Sequence, residues 1–182
     1  MKKRQLDHVL RAAGNIVDDT QFIIIGSQAL HGKFPDLPDD IMMSAEVDLF
    51  AKNHAERTEW LNAIGVDSPF HATHGYYADP VDEKTAVLPR GWKSRLVNLP
   101  PGETDGVSGL CLDPHDIAIS KYVAKRDKDT EFNREIVRRG IVQKARLLEL
   151  LEVTPVSPES SKRIRDDINR DFAEAMRRVP GM

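Results

Sequence analysis

The stretch that decides the fold is Phe22-Ile23-Ile24-Ile25-Gly26-Ser27, followed after a loop by Ser44-Ala45-Glu46-Val47-Asp48-Leu49-Phe50. Its first four residues form a continuous apolar run rich in β-branched side chains, the pattern of a strand buried on both faces. Gly26-Ser27 closes the run at a strand-to-helix turn where backbone can approach a ligand, and Ser27–Leu30 is expected to open a helix. In the second segment polar and apolar residues alternate. A strand there would show Glu46 and Asp48 on one face and Ala45, Val47 and Leu49 on the other, with Phe50 falling on the acidic side. Between the two lies Phe34-Pro35-Asp36-Leu37-Pro38-Asp39-Asp40, whose two prolines and three acids predict a surface loop.

Two carboxylates held about 4 to 6 Å apart repel each other when both are ionised, so such a pair calls for a cation or a proton between them. Hard oxygen ligands favour magnesium over zinc. The free N–H groups of a helix starting beyond Gly26-Ser27 would suit phosphate.

Upstream, Leu6, Leu10, Ala13 and Val17 recur at spacings of four, three and four and predict an amphipathic first helix. Downstream, a helix is expected from about Ala55 to Ile64, with Trp60, Leu61 and Ile64 as its apolar stripe and Gly65 as its stop. His71 to Leu112 reads as strands and loops, with strand candidates at Tyr76-Tyr77, Thr85–Leu88, Arg95–Leu99 and Val107–Leu112. On that reading His71 and His74 do not share a helix face. From Asp113-Pro114 onward the chain reads as helical, with Gly140 and Thr154-Pro155-Val156-Ser157-Pro158 as breaks. The last helix carries Ile164, Ile168, Phe172 and Met176 every fourth residue. The expected organisation is α+β: a core over residues 1–111 with a mixed sheet flanked by helices, then a helical bundle over 112–182.

Composition bounds the function. In 182 residues, Lys+Arg 26 and Asp+Glu 29 give a net charge of -3, which argues against a broad polyanion-binding surface. Cys111 is the only cysteine, so neither an internal disulfide nor a thiolate zinc site can form within one chain. No apolar run is long enough for a membrane span, and a cytoplasmic location is expected.

The sequence of apolar strand, Gly-Ser, helix and a strand with acid-x-acid resembles the nucleotidyltransferase superfamily, and Gly26, Ser27, Glu46 and Asp48 match its motif. A second stretch, Leu112-Asp113-Pro114-His115-Asp116-Ile117-Ala118-Ile119-Ser120-Lys121 through Lys128-Asp129, looks like the helix after the catalytic sheet in bacterial nucleotidyltransferase-like toxin proteins. The resemblance implies that Lys121 contacts nucleotide phosphates and that Lys128 and Asp129 border the same site. On one continuous helix, Lys125, Lys128 and Asp129 would fall about 40, 20 and 80° from Lys121. Most such enzymes carry a third acid on a neighbouring strand; Asp79, Asp82 and Glu83 are the candidates, and Asp82 is selected.

The resemblance implies a Mg²⁺-dependent transfer of a nucleoside monophosphate from an NTP to an acceptor hydroxyl, with Glu46, Asp48 and Asp82 as metal ligands. The acceptor is left open among a tRNA end, a protein and a small molecule, and a toxin-antitoxin role with a cognate antitoxin as partner is implied. Two other readings stay open. One is a non-catalytic protein that binds a nucleotide or a partner through the same fold. The other is an RNA-binding accessory protein working through Arg138, Arg139, Lys144 and Arg146.

Overall fold

The structure, a computed structural model, describes residues 1–36, 38, 41 and 44–177. Part of the Pro-rich loop, including Leu37, Asp39 and Asp40, lies outside the described residues. The chain divides into two compact units, Met1–Thr85 with Arg95–Asp113, and Ala86–Ser94 with Pro114 onward.

The first unit is built on a five-stranded mixed sheet. Its strands are β1 (Gln21–Ile24), β2 (Glu46–Ala51), β3 (Tyr77–Pro80), β4 (Val97–Asn98) and β5 (Ser108–Cys111), in the spatial order β3-β2-β1-β5-β4. β1 is the central strand, antiparallel to β2 and parallel to β5, and Phe22 and Ile24 are fully buried within it. A strand covered on both faces needs the continuous apolar run found there. β3 runs parallel to β2 at the sheet edge.

Helix α1 (Lys3–Val17) buries Leu6, Leu10, Ala13 and Val17 completely, as their spacing predicts. Asp18 ends it in a left-handed conformation, φ 55°, with its N–H on the Gly14 carbonyl. Asp19 then ties α1 to the end of β2: its carboxylate accepts from the N–H groups of Gln21, Asn53 and His54 and from the Asn53 amide.

Two expected α-helices are 3-10 helices instead, Ser27–Gly32 and Ala55–Ile64. With three residues per turn, the buried stripe of the second is Thr58, Leu61 and Ile64, at intervals of three. Trp60 falls off that stripe and is 55% exposed, stacked under the Arg57 guanidinium rather than buried as its sequence position suggested.

The 71–112 region also departs from its reading. Pro69–His74 forms helix α2, capped by the Ser68 hydroxyl and closed by Gly75 at φ 73°, so His71 and His74 do sit on a helix. Thr85–Leu88 forms no strand.

The second unit contains α3 (Pro114–Ala124), α4 (Asp127–Arg138), α5 (Lys144–Glu152) and α6 (Pro158–Arg177), packed on one another around Ile117, Ile136, Leu147, Ile164 and Ile168. Met176 is 74% exposed, so the core stripe of α6 stops before it. No helix among the described residues is long and apolar enough to cross a membrane.

Candidate active site

The acid-x-acid strand forms as its alternation predicts. Val47 and Leu49 are buried, Glu46 and Asp48 are half-exposed on the opposite face, and Phe50 is buried on the acidic side. The parallel register with β3 sets Glu46 beside Tyr77 and Asp48 beside Asp79, while Val47 and Ala78 pair on the core face. Neighbours in a sheet point the same way, so Glu46, Asp48, Tyr77 and Asp79 share one strip of surface.

Gly26 lies beneath this strip. The N–H of Ile25 reaches the Asp48 carbonyl at 2.9 Å, and Gly26 then turns with φ 70° and ψ -166°. Essentially only glycine adopts that region of backbone space. There is a second constraint, since a Cβ at Gly26 would lie 3.0 Å from Asp48 Cγ and closer still to Oδ2. The Asp48 carboxylate therefore rests against bare backbone, with Ser27 opening the 3-10 helix beside it. That helix is tied to the start of β2 by Gln28, whose amide donates to the Ser44 carbonyl at 3.1 Å.

The strip is electrostatically joined. Tyr77 donates its hydroxyl to Glu46 Oε2 at 3.0 Å. Burial first, then the Glu46 hydrogen bond and the charges of Glu46, Asp79 and Asp48, push the phenol above its ordinary range.

The three acids do not make a finished metal cage, and no group of three His, Cys, Asp or Glu among the described residues is disposed to hold a metal by itself. Magnesium is ordinarily bound by one or two carboxylates together with substrate phosphates. The donor set therefore fits that ion in the company of a nucleotide.

The model of a family described as a nucleotidyltransferase of unknown function (DUF6036) matches residues 3–179. The chain belongs to that nucleotidyltransferase family. No curated protein and no solved structure is significantly similar to it.

The remaining residues expected at the site lie in the turn after β3 and in the second unit. Asp82 is in an exposed turn after β3, where its carboxylate accepts from the Lys84 N–H at 2.7 Å and the Thr85 hydroxyl at 3.1 Å. Asp79, the alternative not selected, is the β3 acid in register with Asp48.

Lys121, Lys128 and Asp129 belong to the second unit. They do not lie along one helix: Lys125 turns left-handed at φ 52° and Arg126 is extended, so α3 stops and α4 starts anew. The break carries the fully buried Asp129 back to Lys121, at 2.9 Å, and the exposed Arg126 reaches the same carboxylate at 2.7 Å. Burial alone would raise the Asp129 carboxyl, but the hydrogen bonds and charges of Arg126 and Lys121 outweigh it and hold the group below its usual range. Lys125 points elsewhere, to Asp167 at 2.8 Å. Lys121 and Lys125, expected on one helix face, are thus engaged in separate ion pairs.

Of the basic residues of the RNA-binding reading, Arg138, Arg139 and Arg146 are also engaged. Arg138 and Arg139 both clasp Glu135, pulling its carboxyl down to about 2, and Arg146 pairs with Glu149 at 2.9 Å.

Tyr77 escaped the sequence reading. Its signal was present in Tyr77-Ala78-Asp79, which places a hydroxyl and an acid on one face of a strand just as Glu46-Val47-Asp48 places two acids. Pro80 obscured it, because proline argues against a central strand yet is tolerated at the end of an edge strand.

Proposed function

We propose that the acid strip on β2 and β3 is the catalytic face of a Mg²⁺-dependent nucleotidyltransferase that moves a nucleoside monophosphate from an NTP to an acceptor hydroxyl, releasing pyrophosphate. The observation that carries this reading is Asp48 resting on Gly26 with Glu46 and Asp79 on the same strip. Family membership supplies the reaction class.

On this reading Glu46 and Asp48 hold the metal, and Asp79 takes the role first given to Asp82. The chemistry supplied by bound magnesium is a lowered pKa at the acceptor hydroxyl and neutralised charge at the departing pyrophosphate. Gly26 leaves room for the Asp48 carboxylate to lie against the strand end, where a metal-bound triphosphate would meet it. Ser27 adds a hydroxyl donor at the same turn. Asp79, beside Asp48, restricts how the Asp48 carboxylate can turn, since like charges avoid one another.

The acceptor is an RNA end, a protein or a small molecule. The toxin resemblance favours a macromolecular acceptor and a cognate antitoxin that masks this face. The test is calorimetric titration of each NTP with Mg²⁺ into the wild type and the Glu46→Ala, Asp48→Ala double variant. Metal-dependent binding by the wild type that the variant loses is the expected result, and labelled NTP then reports the acceptor. Equal binding by both proteins would refute the site.

A further inference from the structure

The Tyr77 hydroxyl, on Glu46 Oε2 at 3.0 Å, has no task in the proposed chemistry. Two features make it more than a surface hydrogen bond. First, register places it: Tyr77 stands directly beside Glu46 in the parallel β2–β3 pair, so the backbone ladder sets the distance between phenol and carboxylate.

Second, the phenol ring is backed. The His71 ring lies 4.5 Å from the Tyr77 ring, tilted by 52°. His71 is itself pinned, since its Nδ1 accepts the Asp67 N–H at 3.1 Å and its backbone N–H donates to the Ser68 hydroxyl at 3.1 Å. Accepting at Nδ1 puts the neutral ring's proton on Nε2. The His71 carbonyl also takes the Gly75 N–H at 2.8 Å, and Gly75 at φ 73° turns the chain straight from α2 into β3. Ring and phenol are thus presented by one short, closed segment.

Glutamate has three rotatable side-chain bonds and loses much freedom when it must point one way. Groups that hydrogen-bond to a ligating side chain orient it, and their loss typically costs about 10- to 100-fold in metal affinity. We infer that Tyr77, backed by His71, is a positioning residue for Glu46: its hydroxyl fixes the orientation of that carboxylate and thereby sets how tightly the acid strip takes up a divalent cation with its nucleotide. The inference rests on the function proposed above.

The test uses Mn²⁺ as the probe, with a non-hydrolysable NTP analogue, and counts free Mn²⁺ by electron paramagnetic resonance. Tyr77→Phe removes one oxygen and keeps the ring on His71. It is expected to raise the Mn²⁺ concentration for half-saturation about 10-fold, with thermal melting unchanged and nucleotide binding restored at saturating metal. In a Glu46→Ala background the same substitution should add nothing, because the hydroxyl acts only through Glu46.

If Glu46→Ala loses metal-dependent binding while Tyr77→Phe matches the wild type, the positioning role is overturned and the site stands. If the wild type takes up no Mn²⁺ with nucleotide, both fall. An additive loss in the Glu46→Ala background would also overturn the inference. Should Tyr77→Phe fail to fold, His71→Leu leaves the hydroxyl in place without its backing, and an unchanged Mn²⁺ requirement there would refute the assignment.

Discussion

In the helical unit Asp129, Asp167 and Asp171 lie buried among cations, whereas on the sheet Glu46, Asp48 and Asp79 share one half-exposed strip and all bear on the Tyr77 phenol. Asp129 sits between Lys121 and Arg126, Asp167 takes Lys125, Arg163 and Arg170, and Asp171 takes the Tyr122 hydroxyl with Arg134 nearby. A buried carboxylate matched in this way is part of how the helices hold together. Carboxylates on a half-exposed strip stay open to solvent, and on the function proposed above that is where a metal with its nucleotide would arrive. Two sets of acids in one chain therefore answer to different demands, and substitution can tell them apart.

The largest effect on stability is expected from Asp129→Ala. It strands Lys121, whose side chain is only 13% exposed, and breaking a buried pair from one side typically costs about 3–5 kcal/mol. Urea denaturation measures it, and a loss below about 1 kcal/mol would mean that Asp129 is no more structural than an exposed acid.

Next comes Gly26→Ala. The left-handed backbone alone costs of order 1–3 kcal/mol for a residue with a Cβ, and the methyl also displaces the Asp48 carboxylate. Lowered melting accompanied by lost nucleotide binding is the expected outcome. Retained binding would detach Gly26 from the site.

Tyr122→Phe is expected to cost about 1 kcal/mol, the ordinary net worth of a buried hydrogen bond, here to Asp171 at 3.0 Å. Nucleotide binding should not change, and a change would bring Asp171 out of the purely structural set.

Asp48→Asn, a half-exposed and nearly isosteric change, should have the smallest effect on folding, within about 0.5 kcal/mol. Metal-dependent nucleotide binding should nevertheless disappear. Clear destabilisation would erase the contrast between the two units.

Acid titration sharpens the same contrast. The carboxyls of Asp129 and Asp167 are held below their unfolded values, because salt-bridge hydrogen bonds outweigh burial. Their contribution is complete above the unfolded pKa near 3.9 and is lost as pH falls through the depressed folded values. Asp171 runs the other way: burial raises it, so its protonation on acidification relieves a cost. Circular dichroism against pH should show helix loss beginning below about pH 4, and helix loss already at pH 6 would rule out these pairs as the cause.

What was legible in the sequence was local. The 4-3-4 spacing of α1, the β-branched run of β1 and the alternation around Glu46 and Asp48 each fit within a few residues, and each forms as read. Two misreadings came from periodicity. Trp60 joins the apolar stripe only at 3.6 residues per turn, whereas Thr58, Leu61 and Ile64 form one at three. The break at Lys125 had neither Gly nor Pro to announce it, and the pairs that accompany it join Lys121 to Asp129 and Lys125 to Asp167, the latter 42 residues apart. Asp79 was among the three candidate acids, but choosing it over Asp82 depends on strand register. Helix α2 was readable in principle, since Ser68-Pro69 and Gly75 are ordinary start and stop signals.

The central place of β1 has a consequence for synthesis. Gln21 pairs with Ser108, so one flank of β1 cannot be filled until β5 has left the ribosome, long after α1, β2 and β3 are made. Until then the growing chain carries a hydrophobic strand with an open row of backbone N–H and C=O groups, ready to zip onto any extended neighbour. Chains interrupted between β3 and β5 are therefore expected to need a chaperone or to be cleared, and chains truncated before Cys111 should collect in inclusion bodies.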